Sequence, residues 1–272
     1  MRLNVLICCY NASVEGVPSI LRPPREDVRY VVSHQMSGEY AGAQRPEALD
    51  RPDVVYAPFI GRGLSANRNH CLDVLRNLEG KVGNSGATDL ETLDNREEIC
   101  LIADDDVSYF GDSFDRILAA FEDDVDIVAF RIRTPEGEPQ FKKYPDKAFM
   151  VKKIPLWGEF YFSSIEIAFR LSAVGSLRFD EDFGVGAKKW PEGGEEAIFL
   201  SDCLKRGLTM KYVPEYVVGH PYMSSGKSPK TVRKARMMLA IACRCCGPLS
   251  IDAFVAFLRV IFRVLTMPFR KL

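Results

Sequence analysis

Ile99-Cys100-Leu101-Ile102-Ala103-Asp104-Asp105-Asp106 runs five apolar residues, without a polar break, straight into three carboxylates. A short continuous apolar run is the pattern of a strand buried on both faces, since neither face alternates with solvent. The acids then fall at the strand's carboxyl end, where open α/β sheets gather their ligands. Three adjacent carboxylates repel one another unless a cation screens them. Their hard oxygens suit Mg²⁺ or Mn²⁺, and Mg²⁺ commonly takes one or two carboxylates plus substrate phosphates. A solvated acidic turn is the competing reading, and the apolar strand ahead of the acids favours the metal.

Working outward, residues 3–9 form a second apolar run, ending at Tyr10-Asn11. Strands are predicted over 28–33, 53–57 and 125–132. Between them, Ser65 caps a helix with Cys71, Leu72 and Leu75 inward, and Asp112 or Ser113 caps another carrying Phe114, Ile117, Leu118 and Phe121. This alternation predicts an α/β fold: an open, mostly parallel central sheet with helices on both faces. Residues 79–98, rich in Gly, Asn, Ser, Thr and acids, read as a mobile surface loop.

The second half is less regular. Residues 151–171 are aromatic and read as sheet-like. A helix is expected over 195–206, with Ile198, Phe199, Cys203 and Leu204 inward and Gly207 as its stop. Short strands follow at 208–213 and 217–218, the latter leading to His220, and two helices close the chain at 229–246 and 251–266. There is no internal repeat. The organisation expected is one domain over 1–226 and a basic helical appendage over 227–272.

Composition is ordinary for a globular chain: 272 residues, 47% hydrophobic and 27% charged. The net charge of -1 hides an asymmetry, because residues 227–272 hold ten bases and one acid against 26 and 36 in the rest. An acidic body argues against nucleic acid as a partner. The eight cysteines include no CxxC pair, and Cys8 and Cys100 lie in buried runs, so free thiols in a reducing compartment are expected. The sequence shows no signal peptide and no uninterrupted apolar span of bilayer length, so the expected location is cytoplasmic.

Three further features carry chemistry. Gly193-Gly194-Glu195-Glu196 places two carboxylates at a helix N-terminus, where the dipole favours the ionised form and a carboxylate can serve as general base. First-turn stabilisation of the helix is the simpler reading of the same pair. His220, between a strand and Pro221, can offer a neutral imidazole to a divalent ion, although a lone histidine is more often structural. Trp190 and Trp157 are candidate acceptor-stacking residues; Tyr161 and Phe162 read rather as packing.

Together these segments resemble the family 2 glycosyltransferases of the GT-A fold. The resemblance runs, in order, through Leu6-Ile7-Cys8-Cys9-Tyr10-Asn11, Gly63-Leu64-Ser65-Ala66-Asn67-Arg68-Asn69, Asp104-Asp105-Asp106, Phe179-Asp180-Glu181-Asp182-Phe183-Gly184, Gly193-Gly194-Glu195-Glu196 and His220. It implies a Rossmann-like nucleotide-diphospho-sugar transferase with a Mn²⁺ or Mg²⁺ cofactor. Hexosyl transfer from the nucleotide sugar to a hydroxyl acceptor, with inversion, is the implied reaction, as in glycan or polysaccharide synthesis. By position it implies that Tyr10 packs on the base, with Asn11 beside it, and that Arg68 lies close to the nucleotide. Asp104, Asp105 and Asp106 form the DxD element that holds metal and ribose, the division among them being open. Glu196 is the acceptor-deprotonating position, Glu195 its neighbour, and His220 completes the metal shell. Many relatives read uracil with an Asp after the second strand, where this chain has Val32-Ser33-His34-Gln35, which leaves the base open.

Other readings compete: a glycoside hydrolase would use paired carboxylates but needs no nucleotide site. A nucleotidyltransferase on a similar sheet would want a Gly-rich N-terminal loop, which 11–18 does not provide. A catalytically inactive nucleotide-sugar-binding module would not need the intact acids. Residues 250–272 place Phe254, Val255, Leu258, Ile261, Phe262 and Leu265 on one helical side, with Arg259, Arg263, Arg270 and Lys271 around it. Such a helix either docks on the domain or binds an anionic membrane surface, peripherally on the inner face.

Overall fold

Strand β1 (Arg2–Tyr10) shows why the apolar runs are continuous. Leu3, Val5, Ile7 and Cys9 enter one core layer, while Leu6 and Cys8 enter the other. The run ahead of the aspartates, β4 (Glu98–Asp104), divides in the same way: Ile99, Leu101 and Ala103 to one side, Cys100 and Ile102 to the other. The computed structural model describes residues 1–84, 97–223 and 231–266.

In chain order, β2 (Val28–Gln35) and β3 (Val54–Phe59) follow β1, then α1 (Leu64–Asn84) leads toward β4. After β4 come α2 (Ser113–Ala119), β5 (Ile127–Arg133), β6 (Phe149–Met150), β7 (Ile167–Arg170) and α3 (Leu171–Val174). The remainder is α4 (Glu195–Lys205), β8 (Met210–Gly219), α5 (Val232–Cys246) and α6 (Ile251–Thr266). The eight strands form one sheet in the order β3-β2-β1-β4-β7-β5-β8-β6. Pairings β1–β2, β1–β4, β2–β3 and β5–β8 are parallel; β4–β7, β5–β7 and β6–β8 are antiparallel. Helix α2 packs Phe114 and Ile117 on one face of the sheet, while α1 (Cys71, Leu72, Leu75) and α4 (Phe199, Leu200, Cys203) cover the other. The architecture is the expected α/β one.

Ser65, expected to cap α1, lies inside it and donates its Oγ to the Phe183 carbonyl at 2.6 Å, and three other places depart from the sequence reading. Helix α1 continues to Asn84 and β4 begins at Glu98, so the expected loop over 79–98 is narrower; residues 85–96 lie outside those described. Only 167–170 of the aromatic stretch 151–171 is strand. Its backbone polar groups find side-chain partners instead of a ladder: Lys142 Nζ donates to the Tyr161 carbonyl, and Ser163 N–H donates to Glu166 Oε1 (3.0 Å). The two strands expected near 208–218 are one, β8, whose register against β5 shifts between Ala129 and Arg131, accommodating Pro214, which has no N–H to give. The start expected for α5 at Pro229 also lies outside the described residues.

Helices α5 and α6 are packed rather than dangling. Met237 and Ile241 of α5 share a core with Ile198 of α4 and Phe183. Gly194, the N-cap of α4, has φ +91, and a Cβ there would lie 2.2 Å from Ile241 Cδ1. Gly194→Ala should therefore cost about 1–2 kcal/mol for the left-handed backbone alone. By scanning calorimetry that is a midpoint lower by roughly 2–4 °C per kcal/mol; an unchanged midpoint would refute the strained cap. All eight cysteines are free thiols.

Candidate functional site

The carboxyl ends of β1 and β4 lie side by side, with Cys8 registered to Asp104. Each strand end opens into a turn. At β1 the chain enters a 3₁₀ helix, Asn11–Ser19, through Asn11 at φ 50. Asparagine tolerates the left-handed region because its short amide bonds locally. Here its Oδ1 accepts from Ser37 N–H at 2.9 Å. The Asn11 carbonyl accepts from His34 Nε2 (2.9 Å), so His34 Nδ1 is the acceptor for Tyr56 OH at 2.7 Å. Burial lowers the His34 pKa, consistent with a neutral ring used as a brace. Tyr10 remains exposed, its hydroxyl 2.7 Å from Ser37 Oγ.

The three aspartates diverge, each toward a different partner. Asp104 meets Arg68 Nη2 at 3.2 Å. Asp105 Oδ2 accepts from Ser13, whose Oγ in turn accepts from Tyr10 N–H at 2.8 Å. Asp106 Oδ2 lies 3.3 Å from His220 Nε2. Burial, more than its neighbours, raises the pKa of Asp104 and of Asp105, whereas the His220 hydrogen bond lowers that of Asp106. Burial opposes charge on His220, but its bonds to Asp106 and to the Pro221 carbonyl outweigh burial and raise its pKa.

Arg68 is 2% exposed and lies beneath these groups. Its Nη1 donates to Glu195 Oε1 at 2.7 Å while Nη2 reaches Asp104, so one guanidinium ties the start of α4 to the end of β4. The resemblance implied an arginine close to the nucleotide; in the structure both terminal nitrogens bond carboxylates. Glu195 is buried, whereas Glu196 keeps access to the cleft. Removal from water first, and the Glu195 carboxylate second, push Glu196 up to about 8. The helix N-terminus was expected to keep it ionised; burial beside a second acid wins instead.

These groups share one cleft with two chambers. The larger, about 980 Å³, is lined by Tyr10, Gln35, Ser37, Arg62, Asn67 and the three aspartates. The smaller, about 400 Å³, is lined by Trp157, Tyr161, Glu195, Glu196, Met237 and Ile241. Leu64, Asp104, Val185 and His220 border both. Of the candidate acceptor residues, Trp157 lines the cleft, while Trp190 stacks on Phe183 (ring centroids 6.3 Å apart) and lines neither chamber. Tyr161 lines the smaller chamber and Phe162 borders it from the core.

Sequence reasoning missed the His34 brace, the buried Lys142–Glu166 pair (2.6 Å) behind the Tyr161 wall, and the contribution of α5 to the smaller chamber. A histidine in a strand end next to the β1 turn was a readable signal for the first. The Lys142–Glu166 pair left none, since neither residue sits in a periodic segment.

No family model matches the sequence. No curated protein matches it either. Solved structures do match the fold. A crystal structure of S. aureus TarS 1-349 superposes with a TM-score of 0.56 at 14% identity, covering 96% of this chain and 72% of that one. The same segment in complex with UDP-GlcNAc gives 0.58 at 13% identity, covering 98% and 73%. Against the longer S. aureus TarS structure the TM-score is 0.55 at 12% identity, and the chain spans 44% of that structure's length. The fold is thus the GT-A type, with its mixed eight-stranded sheet.

Proposed function

We propose that the chain is a glycosyltransferase that takes a sugar from a nucleotide diphosphate-sugar in the larger chamber to an acceptor hydroxyl in the smaller one. One observation carries the reading: Asp104 and His220 border both chambers, and Glu196 faces the second across them. The fold shared with a protein crystallised with UDP-GlcNAc supports the nucleotide-sugar donor.

The donor set fits a hard divalent cation. His220 Nδ1 lies 2.6 Å from the Pro221 carbonyl, which can only accept, so in the neutral ring Nε2 presents its lone pair. That lone pair faces Asp106 Oδ2 at 3.3 Å, two acceptors that need a proton or a cation between them. Among the described residues no group of three His, Cys, Asp or Glu side chains is arranged around one point. Two protein ligands with phosphates as the rest is the usual way Mg²⁺ is bound to such substrates. Asp106 and His220 would hold Mn²⁺ or Mg²⁺, which supplies positive charge to the diphosphate leaving group.

The chain's own residues do the rest. Tyr10 offers its face to the base, with Asn11 and Ser37 fixing the turn. Asp105, anchored by Ser13, is placed for the ribose. Glu196 accepts the acceptor's proton as the acceptor oxygen bonds the anomeric carbon. The bond from that carbon to the diphosphate oxygen breaks on the opposite face, and the single displacement inverts the centre.

Thermal-shift titration tests donor and cation together. UDP-GlcNAc with Mn²⁺ at a hundredfold excess over Kd should stabilise by about 2.7 kcal/mol, with a smaller rise when the metal is omitted. Asp106→Asn should abolish the Mn²⁺-dependent part while leaving the unliganded midpoint unchanged. If no nucleotide sugar of any base moves the midpoint with Mn²⁺ or Mg²⁺ present, the reading fails.

A further inference from the structure

Helix α6 is packed inside out. Its small residues face the protein: Ala253 (2% exposed) and Ala256 (0%) sit against Ala242 and Leu239 of α5. Its large apolar residues face away: Phe254 is 61% exposed, Phe262 62% and Leu265 78%, with Leu258 and Ile261 between them. At 100° per residue these five fall on one arc, opposite the alanines. A helix whose task was to close the core would present the phenylalanines inward. A contiguous apolar arc left in water marks an interaction surface.

Charge says what covers it. Over residues 231–266 there are six basic residues and one acid, Asp252, on a chain whose body is acidic; Arg233 pairs with Glu192 and Arg244 with Asp202, while Arg236 and Arg259 are exposed. On α6 itself the exposed Arg259 flanks the arc beside Phe262, while Arg263 lies further round, toward the Ala256 face. A second copy of the chain seated face to face would bring like-charged helices together. An anionic lipid surface supplies both what the arc needs and what the arginines need. No helix among the described residues is long and apolar enough to cross a membrane, so α6 would lie on the surface.

We infer that α6 seats the protein on anionic membranes, its Phe254–Leu265 arc in the headgroup–acyl boundary and the exposed Arg259, at the edge of the arc beside Phe262, within reach of the headgroups. The helix is firmly held in that pose. Asp252 accepts from Trp157 Nε1 at 3.0 Å and pairs with Lys153 at 2.6 Å, and Arg259 lies 4.3 Å over the Trp157 ring. Trp157 is also a wall of the smaller chamber, so α6 stands between that wall and the lipid. The inference does not depend on the transferase reading.

The test is co-sedimentation of the full chain with phosphatidylcholine vesicles and with vesicles that also contain phosphatidylglycerol. A preference of about fivefold or more for the anionic vesicles is expected, weakening as salt is raised. Phe254→Glu combined with Phe262→Glu should abolish binding, with the thermal midpoint retained because both side chains already contact solvent. Sedimentation velocity without lipid runs alongside. Absence of vesicle binding overturns the inference, as does binding that the double variant retains. A dimer that the double variant dissociates, with no lipid bound by either form, would assign the arc to a second copy.

Discussion

Glu196→Gln should lower kcat by about 10² to 10⁴-fold, the usual contribution of a positioned general base, and leave donor affinity by calorimetry unchanged. The isostere keeps the shape of the smaller chamber and removes only the proton acceptor. A second signature follows from electrostatics. With Glu196 pushed up to about 8 by burial and by Glu195, the carboxylate is the minority form at neutral pH in the free protein. The base is competent only when deprotonated, so kcat/KM at limiting donor should climb by about tenfold per pH unit below that value and level off above it. The glutamine variant should lose this limb. Equal losses in kcat and in donor affinity would show that Glu196 holds the donor instead. A flat wild-type profile through neutral pH would remove its role as base.

How much of this was legible in the sequence depends on where each feature's partners lie. The apolar runs in β1 and β4 were readable because both faces are buried, which leaves no alternation to confuse with a helix. Their carboxyl ends marked Tyr10, Asn11 and the three aspartates without any tertiary knowledge. The antiparallel β7, four residues inserted between β4 and β5, was not readable, since too short a strand carries no period. The irregular wall at 141–166 is held by a charge pair 24 residues apart in sequence, and charge pairing at that range has no local signature. The same holds for Glu196: helix-dipole reasoning sees the helix's first turn, whereas its proton affinity is set by burial and by the neighbouring carboxylate. The stripe on α6 was visible as a pattern, but its direction was not; only the packing of Ala253 and Ala256 shows that the phenylalanines point away from the protein.

Arg68 is where fold and site meet, and its removal should be the most damaging single change to stability. The guanidinium is buried and bridges Glu195 at 2.7 Å and Asp104 at 3.2 Å, residues from α4 and β4 that no backbone ladder connects. Arg68→Leu would leave Glu195 buried with no cation beside it, and breaking a buried pair in that way costs about 3–5 kcal/mol. Lysine is a poor substitute, because a single ammonium cannot span both carboxylates as the planar fork does. If the loss comes from the stranded charge, then Arg68→Leu combined with Glu195→Leu should recover part of it, since apolar replacement of both partners is often near neutral. Urea denaturation of the wild type, the two single variants and the double variant separates these terms as a double-mutant cycle. Additive effects, or a midpoint for Arg68→Leu indistinguishable from the wild type, would mean the bridge does not hold α4 to β4. The recovered double variant should remain inactive, because Glu196 rides on the first turn of α4 and Asp104 borders the chamber it faces. Restored stability with restored turnover would show instead that the bridge has no part in aligning the base with the donor.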